Sequence, residues 1–298
     1  MTNNSTQLDN IEAIRDRARG CLVGLALGDA LGAPYEFKRP PFIVADTFGR
    51  GVFGTPPGGA TDDSTIAEML CRHLAEGNTL RSEMDRRKYA SQLVAWADTN
   101  PPDIGTRTRQ SINTWRKGGV PRFDAAAQGN GAVMACAPLG VARKSKWAPV
   151  FSQVTHNSEE SVRACSLVAT AVEGLVWGRG YTWCRSTAVP ELTGDGVDVA
   201  GSKQGWCLLT TSLAFDALES TGDGRTPVGA LMDLIALGGD TDTNAAVAGA
   251  LIGAAHGMAA WPDRLVRRLE MASTMIGHAD TLIGLPRVGQ EGSWILPR

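Results

Sequence analysis

Glycine recurs at every fourth position in two separate stretches, Gly20, Gly24, Gly28 and Gly32 near the start and Gly249, Gly253 and Gly257 near the end. In the first, Ile14, Ala18, Cys21, Leu22 and Leu25 keep helical spacing; in the second the intervening residues are almost all small and apolar. Glycine weakens a helix by up to about 1 kcal/mol against alanine. A line of glycines one turn apart therefore implies that a backbone or a ligand must come close. Two such ridges predict two central helices in tight contact.

Each ridge adjoins acid. The second is preceded by Gly-Gly-Asp-Thr-Asp-Thr-Asn, which sets Asp240 and Asp242 among Thr241, Thr243 and Asn244. Far upstream, Thr61-Asp62-Asp63-Ser64-Thr65 also follows a Gly-Gly pair and also opens an amphipathic helix. A buried carboxylate needs a cation, dense hydrogen bonding or a proton. Four carboxylates with threonine hydroxyls form an all-oxygen donor set, suited to Mg²⁺ or Mn²⁺ and poorly suited to Zn²⁺. Ser, Thr and Asp are also the preferred helix caps, so Thr61-Asp62-Asp63 taken singly reads equally as a cap. Two acids two residues apart after Gly-Gly exceed what a helix start requires.

Charge and cysteine usage narrow the class. The formal net charge is -2 over 298 residues, so nothing marks the whole chain as a nucleic-acid binder. Asp29 interrupts the first long apolar run, and Asp240 and Asp242 the second, so no membrane helix is expected. Six cysteines show no CxxC spacing and fall mostly in apolar helical patterns, which predicts packed, reduced thiols and a cytoplasmic protein. The polar opening, residues 1–10, reads as a flexible tail without a secretory pattern.

Along the chain, helices are expected over 11–31, 65–76, 83–98, 108–117, 132–142 with Pro138 as an interruption, and from Ser158 as a cap onward. Four more are expected over 204–220, 228–237, 243–256 and 262–276. The longest irregular region runs from Gly32 to Gly59 and contains Glu36, which reads as an ordinary loop acid as readily as a functional one. Residues 181–203 read as a polar surface excursion and 281–298 as an irregular tail. Strand alternation is absent. The fold expected is all-α, one compact multi-helix domain over 11–298.

In order, GCLVGLALGDALGAPYEF, GGATDDST, GNGAVMACAPLG, THNSEE and LGGDTDTNAAVAGALIGA resemble the ADP-ribosylglycohydrolase family, and the resemblance spans Gly20 to about Gly257. It implies an all-α fold with a cleft holding two Mg²⁺ or Mn²⁺ ions. By that resemblance Thr61, Asp62, Asp63, Asp240, Asp242 and Thr243 would be the metal ligands. Asp29 would support the centre on the substrate side, and Glu36 would gate or assist it. Gly129, Asn130 and Gly131 would contact pyrophosphate and ribose, with Met134 beside them, and His156 would line the nucleoside pocket. Asp103, in the Asp-Ile-Gly turn, matches a substrate-side acid of the nitrogenase-related branch. Where many relatives carry Arg after the methionine, this chain has Ala135, so a substrate contact made by that Arg is missing.

The resemblance implies hydrolysis of the bond between ADP-ribose and an acceptor, expected to be arginine; on chemical grounds Asp62 or Glu36 is expected to handle protons and Asp103 to hold the arginine guanidinium. The partner would be an ADP-ribosylated protein or a small molecule containing ADP-ribose. Serine-linked or nucleic-acid adducts, a metal-dependent phosphohydrolase and a silent ADP-ribose-binding relative are the alternatives. The phosphohydrolase would want a basic residue inside the acidic motifs, and there is none; a silent relative would be expected to lack metal ligands, and all six are present.

Overall fold

The computed structural model describes residues 2–188 and 198–284, with side chains for 10–184 and 198–284. The two glycine ridges meet. Helix α1 (Thr2–Gly32) lies against α11 (Thr241–His256) along its C-terminal half. A Cβ built on Gly24 would stand 2.2 Å from the Gly249 carbonyl oxygen, and one on Gly253 would stand 1.9 Å from that of Gly20. Real Cβ atoms do not approach a backbone oxygen so closely, so only glycine permits this crossing. Almost every residue of α11 is buried, as expected of a helix apolar on all sides.

Around this pair stand α2 (Asp62–Ala75), α3 (Glu83–Ala97), α4 (Thr106–Arg116), α5 (Ala137–Val141), α6 (Ala148–Ser152), α7 (Glu159–Val176), α8 (Gly180–Ala188), α9 (Cys207–Gly222), α10 (Pro227–Ile235), α12 (Asp263–Val266) and α13 (Ala272–Leu282). Helices α7, α9 and α10 pack on α11, while α2, α7 and α13 pack on α1. The architecture is all-α. Among the described residues the only β pairing is an isolated antiparallel bridge between Gly129 and Trp206. All six cysteines are free and buried, and no described helix is long and apolar enough to cross a membrane.

Four local expectations differ from the structure. Helix α1 starts at Thr2, nine residues before the expected start and within the expected tail; neither Pro nor Gly precedes Gly20 to stop it. Residues 181–188, expected as surface excursion, continue α8, where Cys184 is buried and Trp183 lies against Gly174. Residues 189–197 of that excursion, and 285–298 of the expected tail, lie outside the described residues; α13 runs on to Leu282. The helix expected over 262–276 is two, α12 and α13. Between them the Glu270 N–H donates to the Gly58 carbonyl at 2.9 Å, so a tertiary bond breaks what periodicity alone would have continued.

Candidate active site

The loop entering α2 and the loop entering α11 deliver their acids to one place because the ridges hold α1 and α11 together. Thr61 caps α2: its extended backbone ends the loop, and its hydroxyl accepts from the Asp63 N–H at 3.3 Å. Capping therefore accompanies the clustering of acids instead of replacing it. Asp29, fully buried on α1, accepts from the Thr61 hydroxyl (2.8 Å), the Thr61 N–H (3.2 Å), the Ser64 N–H (3.1 Å) and, closely, the Ser64 hydroxyl. Those four bonds from one turn orient the start of α2. Asp29 thus braces the start of α2 from within the acidic cluster.

The second loop needs its glycines. Gly238 and Gly239 have φ of +74 and +77, a region that other L residues enter only with strain. The Phe37 N–H donates to the Gly239 carbonyl at 2.6 Å, and the Gly239 N–H to the Lys38 carbonyl at 3.2 Å. This clamp brings Glu36 to the acids of α11. One carboxylate oxygen from each of Glu36, Asp240 and Asp242 lies within 4.8 Å of the others, and so does one from each of Asp29, Asp63 and Asp242. Thr243 donates its hydroxyl to Asp63 Oδ2 at 3.2 Å, joining the two loops directly.

Asp62 belongs to neither triad of close oxygens. It is half-buried where its neighbours are buried, and its N–H donates to Asp103 Oδ2 at 3.1 Å. That bond sets the half-buried Asp103 beside the cluster, 41 residues from Asp62 in sequence.

The electrostatics are one-sided. Burial, then the charge of Asp240, pushes Glu36 up to about 8. Burial raises Asp29 to about 6, with the Ser64 and Thr61 bonds pulling the other way. Asp62, Asp63 and Asp242 stand well above the ordinary carboxylate range through burial and then neighbouring acids; burial also raises Asp240 and Asp103. No Lys or Arg is among the largest influences on these seven groups, and Asp63 Oδ1 is buried without a hydrogen-bond partner. Crowded buried acids with an orphaned oxygen are the surroundings that a hard divalent cation satisfies. The donor set fits such an ion.

The Gly-Asn-Gly turn is also at the site, where Asn130 supports an acid. The Asn130 N–H is bonded to the Gly205 carbonyl at 3.0 Å and is not available to an anion. Its amide Nδ2 donates to Asp240 Oδ2 at 2.9 Å and to the Thr210 hydroxyl at 3.0 Å, and Thr210 in turn donates to Asn244 Oδ1 at 2.8 Å. Sequence reasoning missed Thr210; its signal was a polar residue inside the apolar run of α9. Met134 and Ala135 are buried in a short 3-10 turn, so Met134 packs in the core.

His156 is buried behind the turn. A Cβ on Gly131 would meet its ring at 2.8 Å and one on Gly129 at 3.1 Å, so these glycines make room for the imidazole. Burial lowers His156 from 6.5 to about 3. Below pH 6.5 the unfolded chain accepts a proton that the folded chain refuses, so this contribution to stability is complete above 6.5 and is lost as pH falls toward 3. At pH 4.5, relative to pH 7, the wild type should lose on the order of 2 kcal/mol more than His156→Gln. Denaturant melts at both pH values measure this, and parallel losses in the two proteins would refute it.

Comparison with known proteins points the same way as the geometry. The sequence profile of ADP-ribosylglycohydrolase matches residues 10–291. The chain is 29% identical over 278 residues to the ADP-ribosyl-(dinitrogen reductase) glycohydrolase of Rhodospirillum rubrum, covering 87% of this chain and 92% of that protein. It is 31% identical over 286 residues to the ADP-ribosylarginine hydrolase Tri1 of Pseudomonas putida strain GB-1, covering 87% and 75%. Among solved structures, an ADP-ribosylglycohydrolase-related protein complex contains a chain that matches with TM-score 0.73 at 29% identity, covering 92% of this chain and 99% of that one.

Proposed function

This chain belongs to the ADP-ribosylglycohydrolase family, and from that premise we propose that it hydrolyses the bond joining ADP-ribose to an arginine side chain of a protein, with two Mg²⁺ or Mn²⁺ ions in the acidic cluster. The observation that carries the metal requirement is the crowding of buried carboxylates, with Asp63 Oδ1 left unbonded. Asp63, Asp240 and Asp242 would hold the ions, with Thr61, Asp62 and Thr243 completing the set. When bound, such ions supply Lewis-acid polarisation and orient the ribose hydroxyls and water.

The chain's own residues divide the remaining work. Asp29 and Asn130 hold Asp63 and Asp240 in position through the Thr61–Ser64 turn and the amide bond to Asp240 Oδ2. Asp62, the most open of the clustered acids, takes the proton of the entering water. Glu36, clamped to Gly239, supplies the proton that the leaving guanidine nitrogen needs as its bond to the ribosyl carbon breaks. The products are ADP-ribose and unmodified arginine.

Asp103 supports the choice of acceptor. It lies beside Asp62 with one oxygen engaged, so the other can accept from a planar guanidinium, a contact that serine linkage does not offer. The name of the Pseudomonas relative, an ADP-ribosylarginine hydrolase, supports the same choice. The six free, buried thiols suit a reducing compartment, and we place the protein in the cytoplasm.

The test is a release assay on matched arginine- and serine-linked ADP-ribosylated peptides, with and without chelator. Arginine release should dominate, stop on chelation and return with Mg²⁺ or Mn²⁺. Asp103→Ala should lower arginine release by roughly 10- to 100-fold, the loss of a charge-assisted pair. Faster serine release, or arginine release indifferent to Asp103→Ala, would remove the acceptor assignment; full activity after exhaustive chelation would remove the metals.

A further inference from the structure

Phe37 follows Glu36 directly and has φ +57. A bulky residue in the left-handed region is strained, and such strain persists where surrounding structure imposes it. Phe37 also leaves 49% of its surface exposed. Two unfavourable features thus coincide on the residue whose N–H is bonded to Gly239, next to Asp240. The ring of Phe37 meets that of Phe53 edge-on, with centroids 6.3 Å apart and planes at 80°. Phe53 is 40% exposed, and its neighbour Val52, 47% exposed, donates its N–H to the Ala33 carbonyl at 3.1 Å, just past the end of α1. Both loops are therefore anchored by backbone bonds to the frame that holds the acids.

The charges beside the rings are positive. Lys38, Arg39 and Arg50 are exposed. Of the acids in residues 33–54, Glu36 is turned inward and Asp46 is tied to Arg264 at 2.7 Å. Arg39 has a contact of only 3.9 Å with the exposed Asp198, and Arg50 donates to the Gly54 carbonyl at 3.0 Å. An apolar pair edged with cations suits a partner that presents apolar and acidic side chains together.

We propose that Phe37 and Phe53, with Lys38 and Arg50 at their edge, form a docking rim for the polypeptide carrying the modified side chain, favouring apolar and acidic residues beside it. The rim rests on the hydrolase function proposed above and adds to it a preference for sequence around the modified arginine. Strain at Phe37 then has a use: it keeps an exposed aromatic ring on the residue adjoining Glu36.

The experiment compares kcat/KM on three substrates: ADP-ribosylarginine alone, an ADP-ribosylarginine peptide flanked by Leu and Glu, and the same peptide flanked by Gly and Lys. The wild type should favour the Leu/Glu peptide over the Gly/Lys peptide by about tenfold, with the difference in KM. Phe53→Ala and Arg50→Ala should each remove much of that preference while leaving ADP-ribosylarginine within about twofold. Both variants test the rim without touching the Phe37–Gly239 turn that positions Glu36. Absence of the preference in the wild type, or its survival in both variants, overturns the rim alone. An equal loss on ADP-ribosylarginine assigns the rings to the nucleotide or to loop shape and also overturns it. Failure of the wild type to hydrolyse any of the three overturns the underlying function, and the rim's occupant with it.

Discussion

Asp242→Asn should reduce turnover by a thousandfold or more while the metal-free protein melts no lower than the wild type. Asp242 is the one residue common to both close carboxylate groups, so losing its charge would weaken the hold on both of the proposed ions. Lewis-acid stabilisation is worth several kcal/mol, and about 4 kcal/mol corresponds to a thousandfold in rate. Without metal the effect reverses in sign. Two like charges within 4.8 Å cost at least roughly 3 kcal/mol at an effective dielectric near 20. Asn keeps the shape and relieves that repulsion. Because Asp242 is held well above its ordinary pKa, its proton is taken up on folding, so the relief grows as pH rises above the ordinary carboxylate value. Paired measurements decide the matter: turnover at saturating Mg²⁺, and thermal melts in chelator at pH 5 and pH 8. Wild-type turnover, or a metal-free variant less stable than the wild type at pH 8, would contradict the placement of Asp242.

Gly28→Ala should be among the most damaging single methyl additions in the fold. A Cβ at Gly28 would stand 2.0 Å from the Ala245 carbonyl oxygen and 2.4 Å from its carbon, and a helix backbone cannot yield as a side chain can. Overpacking costs typically about 1–3 kcal/mol where side chains can shift; here the helices themselves must part, so about 3 kcal/mol or more is expected. At about 2–4 °C per kcal/mol, the melting temperature should fall by roughly 6–12 °C. The separation also reaches the site, since Asp29 is the next residue and Gly32 abuts the backbone of Asp242, so affinity for Mn²⁺ should fall as well. Gly277→Ala in α13 is the control: a Cβ there meets nothing within 4 Å, and the change should be neutral or stabilising by up to about 1 kcal/mol. Equal melting temperatures for the two variants would show that the ridge is not the contact that sets the spacing.

Much of the frame was legible because its signals are local. The four-residue glycine period, the apolar spacing of α2, α3 and α7 and the Ser158 cap each follow from neighbours within a few positions. The two acidic motifs were legible as a pair for a chemical reason: carboxylates beside glycines at helix starts need something to offset their burial. Their crowding into one cluster could be anticipated from the ridges that draw α1 and α11 together.

The details of the site were not local. Glu36 joins Asp240 and Asp242 through the Phe37–Gly239 clamp, and Asp103 reaches Asp62 across 41 residues. Asn130 turns its amide to Asp240 across 110 residues, supported by Thr210. No periodicity in the chain encodes such pairings, because each depends on where a helix crossing leaves two loops facing one another. The sequence by itself determined that this would be an all-helical protein with a glycine-packed centre and two acidic helix starts. Only the tertiary structure decided that Asp29 would brace the start of α2, that Asp62 would be less buried than Asp63, and that Asn130 would donate to Asp240; burial and hydrogen-bond partners are properties of the packed chain, set by helices meeting far apart in sequence.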